Sequence, residues 1–389
     1  MKSAVVIGAG RMGRAAAWDL ARQPGVERVR LVDATDAALA EARAEVERAL
    51  RLVGGAPARL ETRRIALTPG RPSPEPFEGC DVAVACASYE LNEALTLGAI
   101  AARTHLVDLG GNLNVVDRQL ALHDRAREAG VTVIPDQGLA PGLACLLAAW
   151  GVERLDQPRA ARLRVGGLPA HPKPPLGYKL VFSVRGLTNE YLEPAEVIRG
   201  GERRTVASLT EIESLALDPP FDTLEAFHTS GGCSTLTRTL LGKVRDLDYK
   251  TIRHPGHAAV FAGMRALGLF SEEPVLGVEP RRYTEALLER SLTDDDTDVV
   301  LLRVEVEGVQ GGERGQLVFD LVDRHDPATG HSAMARTTAY PAAAVAWLLA
   351  TGAITERGVL PGERCIPLAR LVDEVRRRGL AVRERWQPE

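Results

Sequence analysis

Short runs of consecutive apolar residues alternate with longer amphipathic stretches through the first third of the chain. Ser3-Ala4-Val5-Val6-Ile7 is apolar after its first residue, as a strand buried on both faces is. Arg28-Val29-Arg30-Leu31-Val32, Asp81-Val82-Ala83-Val84-Ala85, Thr104 to Leu109 and Val131-Thr132-Val133-Ile134 repeat the pattern. Between them, the residues after Gly10, Asp36 to Leu52, Ser88 to Arg103 and Val115 to Gly130 read as helices, and Pro69 to Pro76 as a loop. This alternation predicts a doubly wound α/β unit of six strands. After about Gly151 the pattern changes. Tyr178 to Val184 is predicted as a strand. Leu302 to Glu307 alternates apolar and charged residues, and Gln310-Gly311-Gly312-Glu313 turns it into a partner strand, Leu317 to Val322. Helices are expected at Ser234 to Leu241, Ala258 to Leu267, Tyr283 to Ser291, Ala333 to Ala350 and Leu368 to Arg378.

One motif gives the first unit its chemistry. Gly8-x-Gly10-x-x-Gly13 follows the first strand and opens the first helix. Gly8 permits the tight turn, Gly10 lets a pyrophosphate approach the backbone, and Gly13 lets helix and strand pack closely. The helix N-terminus attracts the phosphates. The second strand ends on Asp33, twenty residues after Gly13, where such a unit places the acid that binds a ribose. A carboxylate there accepts from the 2′-hydroxyl of NAD and repels the 2′-phosphate of NADP. Ala34 and Thr35 offer no arginine to a phosphate, so NAD is the expected cofactor. The expected contacts are Gly8, Gly10, Arg11, Met12, Gly13 and Asp33, with Ala87, Ser88, Leu109, Gly110, Gly111 and Asn112 from later strand ends.

These readings give a fold class of α/β: a doubly wound Rossmann domain over residues 1–138, an inserted α+β substrate and dimerisation domain over 139–332, and C-terminal helices, 333–389, returning to the Rossmann domain. The 389 residues carry a net charge of −4, which argues against nucleic acid or an anionic membrane as partner. Five scattered cysteines without a Cys-x-x-Cys pair fit a reducing cytoplasm. The first strand starts almost at once, leaving no room for a signal peptide, and no apolar run is long enough to span a bilayer. No metal is expected. Asp294-Asp295-Asp296-Thr297-Asp298 reads as a solvated loop, and His254-Pro255-Gly256-His257 lacks further ligands.

Polar residues gather at four further places. Asp136 and Gln137 end the last strand of the first unit and suit either a helix cap or an active site. Gly177-Tyr178-Lys179, Gly186 to Pro194, and Phe227-His228-Thr229-Ser230-Gly231-Gly232-Cys233 are dense polar clusters in the second. Candidates for handling a substrate ammonium are Asp136, Tyr178, Glu190 and Glu193. Candidates for binding the rest of the substrate are Gln137, His228, Thr229, Ser230 and Gly231, with Arg238, Arg253 and His257 for a carboxylate.

Taken with Asp108-Leu109-Gly110-Gly111-Asn112 and Pro135-Asp136-Gln137-Gly138-Leu139-Ala140-Pro141-Gly142-Leu143, the glycine motif resembles the saccharopine dehydrogenase superfamily. Lys173 to Tyr178, Gly186 to Ala195 and His228 to Thr235 are most similar to its L-lysine 6-dehydrogenase branch. That resemblance implies NAD-dependent oxidative deamination of L-lysine at the ε-carbon. The products are ammonia, NADH and 2-aminoadipate 6-semialdehyde, which cyclises to a piperideine carboxylate. It also implies a small-molecule amino-acid substrate and a homodimer or homotetramer. Two other readings compete: a saccharopine-type or carboxynorspermidine-type reductase that joins an amine to a carbonyl, and a non-catalytic NAD-sensing protein.

Overall fold

Valine and alanine runs with no polar side to offer water pair most readily inside a parallel sheet. The computed structural model describes residues 2–53, 58–217, 221 and 223–389. In it β1 (Ser3–Ile7), β2 (Arg28–Asp33), β3 (Arg59–Arg64), β4 (Val82–Ala85), β5 (His105–Asp108) and β6 (Thr132–Ile134) are parallel neighbours. Every residue of β1 and β4 is buried. Their side chains meet Phe77, Leu106 and Val133 in one core.

The second unit is built on a mixed sheet. Its strands are β7 (Gln157–Pro169), β8 (Ala195–Arg199), β9 (Glu202–Val206), β10 (Glu213–Ala216), β11 (Thr223–His228), β12 (Asp246–Arg253), β13 (Asp298–Gln310) and β14 (Glu313–Arg324). Strand β7 lies between β12, which it pairs in parallel, and β13, which it pairs antiparallel. Strands β13 and β14 form the expected hairpin, with Gly311 and Gly312 supplying the two positive φ angles that its turn requires.

The last two strands part company. β15 (Gly358–Val359) adds to the first sheet beside β6, while β16 (Arg383–Pro388) pairs with β14. The sheet orders are β15-β6-β5-β4-β1-β2-β3 and β10-β11-β12-β7-β13-β14-β16. Met1–Leu146, Asp326–His331 and Ala335–Ala381 thus form one unit, and Leu147–His325, Ser332–Met334 and Val382–Glu389 the other.

Several expectations change. The doubly wound sheet has seven strands, not six. The polar edge strand β3 buries only Leu60, so it carries no apolar run to read, and β15 arrives from far along the chain. Tyr178 to Val184 is not a strand. Ser183 accepts a hydrogen bond from the Gly186 N–H (3.1 Å) and caps a helix, Val184–Leu192. The expected helix from Val115 to Gly130 is two, Leu113–Leu120 and His123–Ala129, broken at Leu122. The helix expected at Ser234 to Leu241 is a single turn, Leu236–Thr239. The final residues, expected with the C-terminal helices, belong to the second sheet because they extend its edge beyond β14. No helix among the described residues is long and apolar enough to cross a membrane.

One buried ion pair ties the returning C-terminal segment to the first helix. The Arg378 Nε donates to Asp19 at 2.8 Å, with both side chains essentially solvent-free, and Glu374 also meets the guanidinium. Helix Leu368–Arg377 presents Leu368, Leu371, Val372 and Val375 inward at helical spacing beside this pair. Removing one partner of such a pair strands a buried charge. Asp19→Ala is therefore expected to destabilise the protein by about 3–5 kcal/mol in urea unfolding. A loss below about 1 kcal/mol would show that the pair does not secure the segment.

Candidate active site

The glycine loop after β1 is too tight for side chains where it turns and open where a ligand would lie. A Cβ on Gly8 would stand 2.8 Å from the Cys86 carbonyl oxygen, and one on Gly13 would stand 1.8 Å from the Gly8 oxygen. A Cβ on Gly10 would meet nothing within 4 Å. Gly10 begins helix Arg11–Ala21 without any side-chain cap. Such a helix N-terminus, with no side chain capping it, suits an anion. Asp33 closes the cradle: its carboxylate accepts from the Ala9 N–H (2.9 Å) and the Thr35 N–H (3.2 Å). The neighbouring Arg64, in register with Asp33 on β3, is held by Asp36 at 3.0 Å. This cradle fits the diphosphate and ribose of a dinucleotide.

Asp108, outside the set of candidates expected from the sequence, organises the loops that follow. It is buried at the end of β5. Its carboxylate accepts from the Gly110 N–H (2.8 Å), the Asp136 N–H (3.2 Å) and the Gln119 amide (2.7 Å). Burial raises its pKa, while these three bonds oppose the rise. Gly110 and Gly111 pass so close to Asp136 and Tyr89 that a Cβ would collide with either side chain. Asp136 itself adopts the left-handed region, φ 62°, which aspartate tolerates better than most residues. Asn112 caps helix Leu113–Leu120 by accepting from the Asn114 and Val115 N–H groups. Gln137 is buried, gives its amide to the Pro135 carbonyl and packs on Gly362. Arg11 and Met12 open helix Arg11–Ala21, while Ala87, Ser88 and Leu109 sit at strand-end loops of the same unit, all five partly or fully exposed.

In the second unit β12 places Tyr249, Thr251 and Arg253 on one face at the period-two spacing of a strand. Helix Val184–Leu192 brings Glu190 and Tyr191 to them. Arg253 is fully buried. Its Nε donates to the Tyr191 hydroxyl at 3.0 Å and one Nη to the Ile252 carbonyl at 2.9 Å, and its guanidinium lies 4.7 Å over the Tyr178 ring. Donors then follow in one direction. The His257 Nδ1 lies 3.0 Å from the Leu176 carbonyl, which can only accept, so Nδ1 carries the proton. Nε2 is then the acceptor for the Tyr191 hydroxyl, 2.9 Å away. Thr229 and Thr251 share a hydroxyl bond of 2.7 Å, and Thr251 donates to the Tyr249 hydroxyl.

Burial sets the charges here. The Glu190 carboxyl is pushed up to about 7 by desolvation, with Arg253 pulling it back. His257 is pushed down to about 3, by burial first and Arg253 second, so it is neutral at ordinary pH. Tyr191 is pushed up to about 12, and the Tyr178 and Tyr249 phenols also rise, all mainly through burial. The Tyr178 hydroxyl is buried without a hydrogen-bond partner among the described residues. The result is a fixed cation beside a carboxyl that titrates near neutrality. Such a pair can bind a carboxylate and exchange a proton.

The structure therefore gathers Tyr178, Glu190, Thr229, Arg253 and His257 into one cluster and adds Tyr191, Tyr249 and Thr251. The Tyr-x-Thr-x-Arg spacing on β12 is the sequence signal that points to two of these. Ser230 adjoins the cluster, its N–H on the Glu190 carbonyl. Glu193 lies beside it, its pKa raised by burial and opposed by Arg281 and the Ser230 hydroxyl. Gly231 is an exposed turn with positive φ. Arg238 sits on the one-turn helix Leu236–Thr239. His228 points to the opposite sheet face. It donates to the Tyr249 carbonyl and meets Glu211 in a structural network that includes Lys250, Glu213 and Arg164. Among the described residues no group of three or more His, Cys, Asp or Glu is arranged to hold a metal ion.

Both parts of the chain match known protein families. Residues 4–134 match the saccharopine dehydrogenase NADP binding domain, and residues 138–380 match the saccharopine dehydrogenase C-terminal domain. Alpha-aminoadipic semialdehyde synthase, mitochondrial, of Mus musculus is 24% identical over 216 residues, 52% of this chain and 23% of the relative. The Rattus norvegicus protein of the same name is 25% identical over 216 residues, 52% and 23%. The chain spans about a quarter of the length of these relatives. The apo saccharopine dehydrogenase (L-Glu forming) of Saccharomyces cerevisiae shares the fold, with a TM-score of 0.76, 18% identity and 100% coverage of both chains. With family models matching both its dinucleotide-binding unit and nearly all that follows, the chain belongs to the saccharopine dehydrogenase family of oxidoreductases and carries that family's nicotinamide-dinucleotide-binding domain.

Proposed function

We propose that this protein catalyses the NAD-dependent oxidative deamination of L-lysine at its ε-carbon. L-Lysine, NAD and water give 2-aminoadipate 6-semialdehyde, ammonium, NADH and a proton. The observation that carries the reading is the buried Arg253, held by Tyr191 and the Ile252 carbonyl, with its electrostatic influence on Glu190, whose carboxyl burial pushes up to about 7. A bound nicotinamide supplies the two-electron acceptor for the substrate C–H. The chain's own residues do the rest. Arg253 anchors the α-carboxylate with the N–H groups that Tyr191 and Ile252 leave over. Ionised Glu190 takes a proton from the substrate ammonium, since only a neutral amine yields the iminium readily. Neutral His257 and the high-pKa tyrosines add no competing charge to the anchor. A second reading, a saccharopine-type reductase that joins an amine to an oxo acid, draws support from the family match itself.

NAD rather than NADP is the proposed cofactor. Asp33 presents a carboxylate where a 2′-phosphate would lie, and Asp36 already occupies the neighbouring Arg64. A charge-assisted hydrogen bond of about 1.5–3 kcal/mol corresponds to roughly ten- to a hundredfold in affinity. Asp33→Ala is expected to raise the apparent constant for NAD by about that factor and to narrow the preference over NADP. Equal use of both cofactors by the wild-type protein would refute the assignment.

Lysine carrying nitrogen-15 only at its ε-position tests the reaction. Labelled ammonium formed with NADH, without any oxo acid, is the expected result. Unlabelled ammonium would place the chemistry at Cα and reverse the substrate. Turnover only of NADH with lysine and an oxo acid would establish the reductase instead. Dinucleotide binding without turnover of any amine would leave a sensor.

A further inference from the structure

A buried polar atom without a partner destabilises a protein, and folded chains hold few of them. In the second unit two neutral side chains carry such an atom among the described residues, the Tyr178 hydroxyl and the His254 Nε2. Both stand beside Arg253. The guanidinium lies over the Tyr178 ring, and His254 follows Arg253 in the chain. The dipeptides Gly177-Tyr178 and Arg253-His254 also pack directly on each other. A Cβ on Gly177 would stand 2.9 Å from the His254 Cβ and 3.5 Å from its Cδ2, the ring carbon bonded to Nε2. Gly177, at φ 54°, lets this edge of the imidazole come so near.

The two histidines of His254-Pro255-Gly256-His257 differ in what they hold. His257 uses both ring nitrogens within the protein, one toward Leu176 and one toward Tyr191. The His254 Nε2 bonds to nothing among the described residues. Burial lowers the pKa of His254 and so favours its neutral form. A neutral imidazole accepts a hydrogen bond at the nitrogen that lacks the proton, and a phenol oxygen accepts one too.

Arg253 therefore offers donors, and the two side chains next to it offer acceptors. The head of an α-amino acid is the complement of this set. Its carboxylate only accepts, and its ammonium, one carbon away, only donates. We infer that Tyr178 and His254 receive the α-ammonium of the amino acid whose α-carboxylate Arg253 anchors, so that the site selects a free α-amino acid head group over a simple carboxylic acid. The inference rests on Arg253 as the carboxylate anchor of the proposed reaction. Arg253 alone would take any ω-amino acid, and the two acceptors make the α-amino group a requirement. Glu190 is left for the amine at the far end of the substrate.

Titration calorimetry on the full chain with NADH present tests this by comparing L-lysine with 6-aminohexanoate, which lacks only the α-amino group. L-Lysine is expected to bind about a hundredfold more tightly, and Tyr178→Phe and His254→Phe are each expected to cut that ratio about tenfold. His254→Gln, whose amide oxygen can accept, is expected to recover part of the loss. Tyr178→Phe is not expected to lower the urea midpoint of the unliganded protein, because it removes an oxygen that has no partner there. This variant decides the question even if His254→Phe folds poorly. Equal affinity of the wild-type protein for the two ligands would overturn the inference. So would variants that weaken both ligands alike, since the two atoms would then serve the fold or a water. Failure of both ligands to bind would overturn it together with the lysine reading. A preference for lysine that both variants erode, without release of the ε-nitrogen when NAD is supplied, would uphold the head-group assignment and remove ε-deamination alone.

Discussion

A guanidinium that cannot shed its proton lies buried on β12, and the chemistry of the second unit follows from accommodating it. Removing such an ion from water costs several kcal/mol unless its surroundings compensate. Arg253 is compensated by a phenol oxygen, a carbonyl, the face of Tyr178 and the field of Glu190. Each compensation has a consequence. Tyr191 accepts from Arg253 and so turns its own proton to His257, which fixes the histidine tautomer through the Leu176 carbonyl. His257 stays neutral because burial disfavours its charged form, and the nearby Arg253 cation adds to that. Desolvation outweighs the pull of Arg253 and pushes the Glu190 carboxyl up to about 7. Its folded value lies above its unfolded one. Its ionisation therefore erodes stability as pH rises from about 4.5 to about 7, the opposite of a salt-bridged surface carboxylate.

The first unit is organised by close approach instead of by charge. Gly8 and Gly13 let backbone segments touch where side chains would collide, Gly10 leaves open space, and Gly110 and Gly111 pass equally close to the Asp136 and Tyr89 side chains. Asp108 then gathers the N–H groups that these turns leave unpaired. The resulting cradle presents N–H groups and one carboxylate, the complement of a diphosphate and a ribose. The two units thus differ in character, with fixed backbone donors in the dinucleotide-binding one and a buried polar cluster around Arg253 in the other.

The cradle was legible because its demands are local. Glycines at fixed offsets, a buried strand and an acid twenty residues on are all visible in one dimension. The hairpin of β13 and β14 was legible for the same reason, as was the buried helix Ala333–Ala350. The polar cluster was only partly so. Tyr178, Glu190 and Arg253 announce themselves as polar residues in unusual settings, but their convergence depends on β11–β12 register and on the helix that begins at Ser183. His228 misled because histidine within a polar run looks functional, whereas strand alternation turns it to the opposite face from Thr251. Edge strands β3 and β16 were missed because an edge buries too little to need an apolar run, and β15, though buried, is two residues long and fixed only by what it pairs with.

The most direct test of this account is the ionisation of Glu190 itself. Carbon-13 detection of glutamate carboxyls across a pH titration, with Glu190→Gln to assign the signal, reads it without reference to any substrate. The account predicts a carboxyl that titrates near 7, well above its neighbours on the surface. A Glu190 that titrates near the ordinary value of about 4.3 would mean the cluster is solvated, and Arg253 would then not be the buried cation on which the proposed chemistry depends.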